Sequence, residues 1–203
     1  MTNEPLVLGV NRTQDASACL MQGSTMLWAI QKERLTRQKH HWGKTGDIGG
    51  IYLPRLPGLE REIDVLVECY SSDAEFGNLA QYEQELTGSL RLAPGCKRAH
   101  VSHHLAHAYS VFHPSPFPDA AVMIIDGQGS SVSSLTEHWS GAADVPGHWR
   151  EVSSFYRADR KRVECIGKQV WDCDNGRLAG LGMFYFLLTQ AIFPGEGNEG
   201  KVM

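Results

Sequence analysis

Apolar residues open the chain in short runs. Residues 6–10 (LVLGV), 16–21 (ASACLM) and 26–31 (MLWAIQ) are apolar or β-prone, and turn-forming residues separate them. Gln22-Gly23-Ser24 leaves a tight link between the second and third runs, so the three are expected to form an antiparallel meander. A polar stretch punctuated by glycine and proline covers residues 36–57. Residues 63–70 (IDVLVECY) are then almost continuously apolar, as in a strand covered on both faces. Residues 74–90 are mixed and expected to be helical. Ser102 is placed as the N-cap of a helix beginning HHLAHAYSVF, which Pro114, Pro116 and Pro118 bring to an end. Residues 120–125 form a second buried strand running into Asp126-Gly127-Gln128-Gly129. Residues 130–139 and 151–156 are expected to be further strands, and residues 180–193 an apolar helix buried in the core.

Composition narrows the class. With 42% hydrophobic and 21% charged residues, 203 residues suffice for a packed core, and disorder is excluded. Nineteen basic side chains against twenty-three acidic ones give a net charge of −4. That leaves no bulk positive field for a nucleic-acid backbone, and no nucleic-acid partner is expected. The first residues lack a basic n-region, and the five cysteines are an odd, scattered set without a C-x-x-C pair. Neither a secretory signal, a disulfide framework nor a thiolate zinc site is expected, and the default compartment is the cytoplasm. Residues 178–195 are uncharged over about the length of a membrane span, but glycines, Thr189, Gln190 and Pro194 interrupt them, so a core helix is expected there and no membrane partner.

Candidate chemistry centres on histidine. Five of the nine histidines fall between residues 100 and 113. On a helix His103 and His107 are i and i+4, leaving one face a turn apart, where two imidazoles can grip one ion. His104 and His107 form a second geometrically allowed pair. The same spacing fits histidines that only pack or face water. Asp126 shifts the balance, because it follows a buried strand and is flanked by Gly127 and Gly129, which leave the backbone room for a ligand. Two histidines and one carboxylate make an N,N,O set suited to Fe(II), Mn or Zn.

Two other segments are weaker. Residues 32–41 (KERLTRQKHH) carry basic groups that could neutralise phosphate oxygens, or simply form a solvated edge. Residues 195–201 match the first seven places of a P-loop, but Val202 replaces the required Ser or Thr and a helix precedes the loop. What survives is a glycine-rich loop whose N–H groups and Lys201 can approach a phosphate.

Taken together, LVLGVN with QDASACL, KERLTRQKH, SHHLAHAYSVFHPSPF, AAVMIIDGQG and NEGKVM resemble the amino-terminal part of the natural-product O-carbamoyltransferases, the family of the tobramycin, novobiocin, geldanamycin and cephamycin pathways. The resemblance implies an α/β fold of the actin/sugar-kinase (ribonuclease-H-like) type, incomplete in this chain. A first subdomain would occupy residues 1–118 and the start of a second residues 119–203, with the carbamoyl-phosphate-handling domain of the family absent. It implies that carbamoyl phosphate and ATP yield a carbamoyl-adenylate, whose carbamoyl group passes to a hydroxyl of a small-molecule acceptor, with AMP, pyrophosphate and the phosphate of carbamoyl phosphate released. Carried over by residue, His103, His107 and Asp126 hold a divalent metal, Fe(II) first and Zn or Mn as alternatives. Lys39 lies near the adenylate phosphate, and Gly127, Gly129 and Lys201 line the nucleotide pocket.

Gln14 stands where the family commonly has a histidine that acts on the acceptor hydroxyl. A glutamine hydrogen-bonds but takes up no proton at neutral pH. Ser130-Ser131 likewise replaces a frequently acidic position. The chain alone is expected to be inactive; self-association into a homo-oligomer stays open. The competing expectations are a non-catalytic metal- or nucleotide-binding module and a relative of the tRNA threonylcarbamoyl-adenosine-forming enzymes.

Overall fold

The three opening runs form β1 (Leu6–Asn11), β2 (Ser17–Gln22) and β3 (Thr25–Gln31) in a computed structural model, which describes residues 4–70, 79–174, 180–195 and 198. Gly23, at φ +56°, supplies the left-handed residue that the two-residue link between β2 and β3 demands. Both pairings of the meander are antiparallel. Contacts divide the chain into two compact units, Met1–Val101 and Ser102–Met203.

The first unit is built on a five-stranded mixed sheet. β4 (Glu62–Cys69) runs parallel to β1, and β5 (Arg91–Val101) runs parallel to β4, giving the order β3-β2-β1-β4-β5. Alternation along β1 buries Leu6, Leu8 and Val10, and these meet Leu20 of β2 and Ile63 and Leu66 of β4. A short helix α1 (Lys32–Thr36) follows β3 directly. One wide helical turn at Ile48–Tyr52 and the helix α2 (Leu79–Ser89) cover the same core through Ile48, Tyr52, Tyr82 and Leu86. β5 carries no run that announces a strand. Pro94, Gly95 and three basic residues interrupt it, which its position at the sheet edge tolerates, and its register against β4 shifts between Ile63 and Val65.

The second unit opens with α3 (His103–Phe112), followed by β6 (Asp119–Ile125), β7 (Arg150–Asp159) and β8 (Val163–Trp171) in an antiparallel sheet of that order, and α4 (Leu181–Ile192). α3 packs on β6 and β7, burying Leu105, Ala108 and Phe112. The division between the two compact units falls ahead of α3, between Val101 and Ser102.

Three expectations are corrected. Residues 120–125 fall in β6, but it is not a buried strand: Val122 is buried, whereas Met123 is 56% and Ile125 42% exposed. Residues 130–139 do not form a strand: a single 3-10 turn occupies Val132–Ser134, and only Ser131 bridges to Arg150. Ser134 Oγ donates to Ser131 O at 2.8 Å and lies 3.0 Å from Ser131 Oγ, so local hydroxyl bonds take the place of a ladder. The apolar helix exists, but it is not buried. Met183 packs against Val152 and Trp171, while Leu181 is 65% and Phe184 50% exposed, because the narrow three-stranded sheet offers one small apolar patch to one side of α4. Among the described residues no helix is long and apolar enough to cross a membrane.

Candidate metal centre

A helix begins with four backbone N–H groups that lack helical partners, and at α3 polar groups of the second unit satisfy the first three. His103 N–H donates to Ser130 Oγ (2.9 Å), His104 N–H to Glu151 Oε1 (3.0 Å) and Leu105 N–H to Ser102 Oγ (3.4 Å). Ala106 N–H then makes the first helical bond, to Ser102 O (2.9 Å). Ser102, extended at φ −63°, ψ 161°, is the N-cap its sequence suggested. The first turn of α3 is thus tied at once to the loop after β6 and to β7.

This start aims three side chains at one point. His103 Nε2 lies 2.8 Å from Asp126 Oδ2, His107 Nε2 lies 3.2 Å from His103 Nε2, and His107 Nε2 lies 4.0 Å from Asp126 Oδ2. Among the described residues this is the one group of three such side chains whose ligand atoms converge. An ion about 2.1 Å from each atom needs them about 3.0 Å apart at right angles and about 3.4 Å apart in a tetrahedron. The observed separations bracket that range, so the trio fits a divalent cation on one face, with the remaining positions open. Asp126 Oδ1 is occupied separately, accepting the Gly127 N–H at 2.6 Å.

Electrostatics act on two members of the trio. Burial opposes ionisation of Asp126, but the hydrogen bond and charge of His103 together with the Gly127 N–H hold its carboxyl below the usual range. Burial, and then the neighbouring His103, lower His107, leaving it neutral and able to donate its lone pair. His104 is not a ligand. It is 0% exposed, its Nδ1 lies 2.8 Å from Ser154 Oγ, and burial followed by the Lys168 ammonium pushes it down to about 3.

Beneath the trio lies a buried ionic network that sequence reasoning missed. Lys168 Nζ sits 2.6 Å from Glu151 Oε2, 2.8 Å from Glu137 Oε1 and 3.0 Å from both Ser154 Oγ and Tyr156 OH. Burial alone would lower the Lys168 ammonium; Glu151 and Glu137 reverse this and raise it. Glu151 Oε1 accepts from both His104 N–H and Ser130 N–H, each at 3.0 Å, and Glu137 Oε1 accepts from Ser102 Oγ at 2.8 Å. These residues come from β7, β8 and a loop, and no local spacing links them.

The glycines differ in role. A Cβ on Gly129 would meet Glu151 Cγ and Oε1 at 2.7 Å and His104 Cδ2 at 2.8 Å, so the space there is taken by protein, whereas Gly127 has nothing within 4 Å. Gly182, in the first turn of α4, lies against the backbone of Asp126 and Gly127, where no side chain fits. Lys201 lies outside the described residues.

Gln14 and Lys39 belong to the first unit, and both are exposed. Their loops meet. Asp15 Oδ1 is 2.8 Å from His40 Nδ1, Ala16 N–H donates to His41 O at 3.2 Å, and Gly43 N–H donates to Thr13 O at 3.2 Å. Asp15 (φ 58°) and His40 (φ 53°) both adopt the left-handed conformation, uncommon for residues with a Cβ. Lys32 of the basic segment is fully buried, bonded to Asp47 Oδ1 (2.8 Å) and Trp42 O (2.7 Å), so its charge serves the fold.

No family model matches the chain. It is 29% identical over 181 residues to an uncharacterized protein of Synechocystis sp., sll1178, a match covering 70% of this chain and 28% of that protein. It is 23% identical over 199 residues to an uncharacterized protein of Methanocaldococcus jannaschii, MJ1051, with 98% of this chain and 32% of that protein covered. The chain thus spans under a third of the length of these two curated relatives.

Proposed function

We propose that this chain is the metal-binding, amino-terminal part of an ATP-dependent O-carbamoyltransferase that acts on a small-molecule hydroxyl. The observation that carries the reading is the convergence of His103, His107 and Asp126 from α3 and the end of β6. The ordered motifs of the sequence add to it. The strand order β3-β2-β1-β4-β5, antiparallel across the first three and parallel across the rest, supports the ribonuclease-H-like form of the α/β fold.

On this reading a bound divalent cation supplies Lewis acidity toward an oxygen of substrate. The chain's own groups do the rest. His103 and His107 present their Nε2 atoms, and Asp126 presents one oxygen while the Gly127 N–H holds the other. In the first unit Lys39 offers an exposed ammonium to a phosphate oxygen, and Gln14 offers an amide that orients a hydroxyl without taking its proton. ATP and carbamoyl phosphate are the co-substrates of this reading.

The test assays the chain itself and the product of its complete reading frame with carbamoyl phosphate, ATP and a panel of alcohols, following pyrophosphate and AMP. Release that depends on acceptor and is lost in His103→Ala and Asp126→Ala is expected. Undiminished activity in the doubly substituted protein would overturn the metal's role, and metal binding without turnover in every form would leave a binding module.

A further inference from the structure

The candidate centre is held by groups that do not touch it. Asp126 and the histidines sit on separate elements, so their separation is only as fixed as the link between α3 and the loop after β6. One strap of that link is a single carboxylate oxygen. Glu151 Oε1 accepts from His104 N–H, next to His103, and from Ser130 N–H, at the end of the Asp126 loop. A second strap closes the same loop, because Ser130 Oγ accepts from His103 N–H and Gly129 N–H donates to Glu151 O at 2.7 Å. Glu151 is 0% exposed, and a buried carboxylate keeps its place only if its charge is matched. Lys168 supplies the match from β8, with its side chain 0% exposed and its Nζ shared between Glu151 and Glu137.

We infer that Lys168, acting through Glu151, is the positioning residue of the His103–His107–Asp126 centre: its ammonium holds the Glu151 carboxylate where one oxygen fixes the spacing of α3 against the Asp126 loop. The inference rests on the metal reading above for its functional consequence, but not for its structural one. Without the ammonium, two buried carboxylates face each other uncompensated, and Glu151 must turn away or take up a proton. Either change slackens the two N–H bonds. Combining Glu151→Gln and Lys168→Met in a double variant keeps an oxygen for both N–H groups and removes the repulsion between the two carboxylates, leaving Glu137 to the Ser102 and Tyr156 hydroxyls that donate to it.

The experiment titrates the purified chain with Co(II) alone, reading affinity by calorimetry and ligand-field absorption, and follows amide exchange at His104 and Ser130 without metal. Lys168→Met is expected to weaken Co(II) about 10- to 100-fold, the range typical of groups that orient ligands, to reduce the absorption band and to speed exchange at both amides. The Glu151→Gln/Lys168→Met variant is expected to return to within a few-fold of the parent. A folded Lys168→Met protein that binds Co(II) like the parent overturns the inference, as does a folded double variant as weak as the single one. If Lys168→Met does not fold, the double variant decides alone: parental affinity upholds the inference and a tenfold loss overturns it. A parent chain that binds no Co(II) overturns the metal reading instead; exchange at the two amides in Lys168→Met, fast or unchanged, then upholds or overturns the clamp.

Discussion

His103 and His104 are adjacent in the chain and opposite in the fold. His103 turns its Nε2 toward Asp126 at 2.8 Å on the open face of α3, while His104 is fully buried with its Nδ1 against Ser154 Oγ at the same distance. The two should separate experimentally. His104→Ala is expected to cost about 2–4 kcal/mol of stability, from the cavity and the polar group it strands. His107→Ala, on the partly exposed face, should cost well under 1 kcal/mol yet lose Zn(II) or Mn(II) affinity by about 100-fold or more, beyond the usual effect of an orienting group. Denaturant unfolding and calorimetry on the same preparations measure both, and a His107→Ala protein with parental metal affinity contradicts the centre.

Gly129 and Gly127 are two residues apart and should respond differently to one methyl group. At Gly129 the new Cβ runs into Glu151 and His104, both fixed by hydrogen bonds, and a loss of about 1–3 kcal/mol is expected. Gly127→Ala meets nothing and should unfold at nearly the parental urea concentration.

Removing the cap at the head of α3 tests whether Ser102 joins helix to network. Ser102→Ala deletes an acceptor for Leu105 N–H and a donor to Glu137, with an expected cost of about 0.5–2 kcal/mol. Ser102→Asp, which restores the cap but sets a second negative charge beside Glu137, should not recover it.

Acid should weaken the second unit through Glu137. Burial opposes ionisation of this carboxyl, but Lys168, Ser102 and Tyr156 lower it below 4.5. A group depressed in the folded state contributes stability that is present above its unfolded value, and loses it as pH falls through the folded one. Urea midpoints should therefore fall as pH drops below about 4.5, with a shallower decline in Glu137→Gln. Equal slopes in the two proteins would count against the pairing.

The parts of this fold visible in sequence share a physical basis. β3 and β6 are legible as apolar runs although they bury little, with Met26 61% and Met123 56% exposed, and β1, β2 and β4 bury alternating apolar side chains, a pattern that is written locally. So is the cap at Ser102. β5 and β8 are strands because neighbours pair with them, and Pro94, Gly95, Glu164 and Lys168 disguise them. The serines at 130–134 resemble a strand in sequence, but their hydroxyls bond one another. The apolar run of α4 suggests core because composition reports how apolar a helix is and not how much partner surface exists for it. At the site, the i and i+4 histidines and the Asp-Gly turn are legible. Lys168 is not, since an isolated lysine in a strand looks like a solvent-facing one until its partners on other strands are known.

Gly182 carries this further. Its lack of a side chain lets the first turn of α4 rest on the peptide joining Asp126 to Gly127. Part of what shapes the centre is therefore an empty volume, contributed from a distant stretch of chain by a residue with no functional group. Inventories of reactive side chains pass over such a position, and a comparison of relatives that scores chemistry alone would rank it as filler, although an added methyl there would run into the peptide that carries the Asp126 side chain.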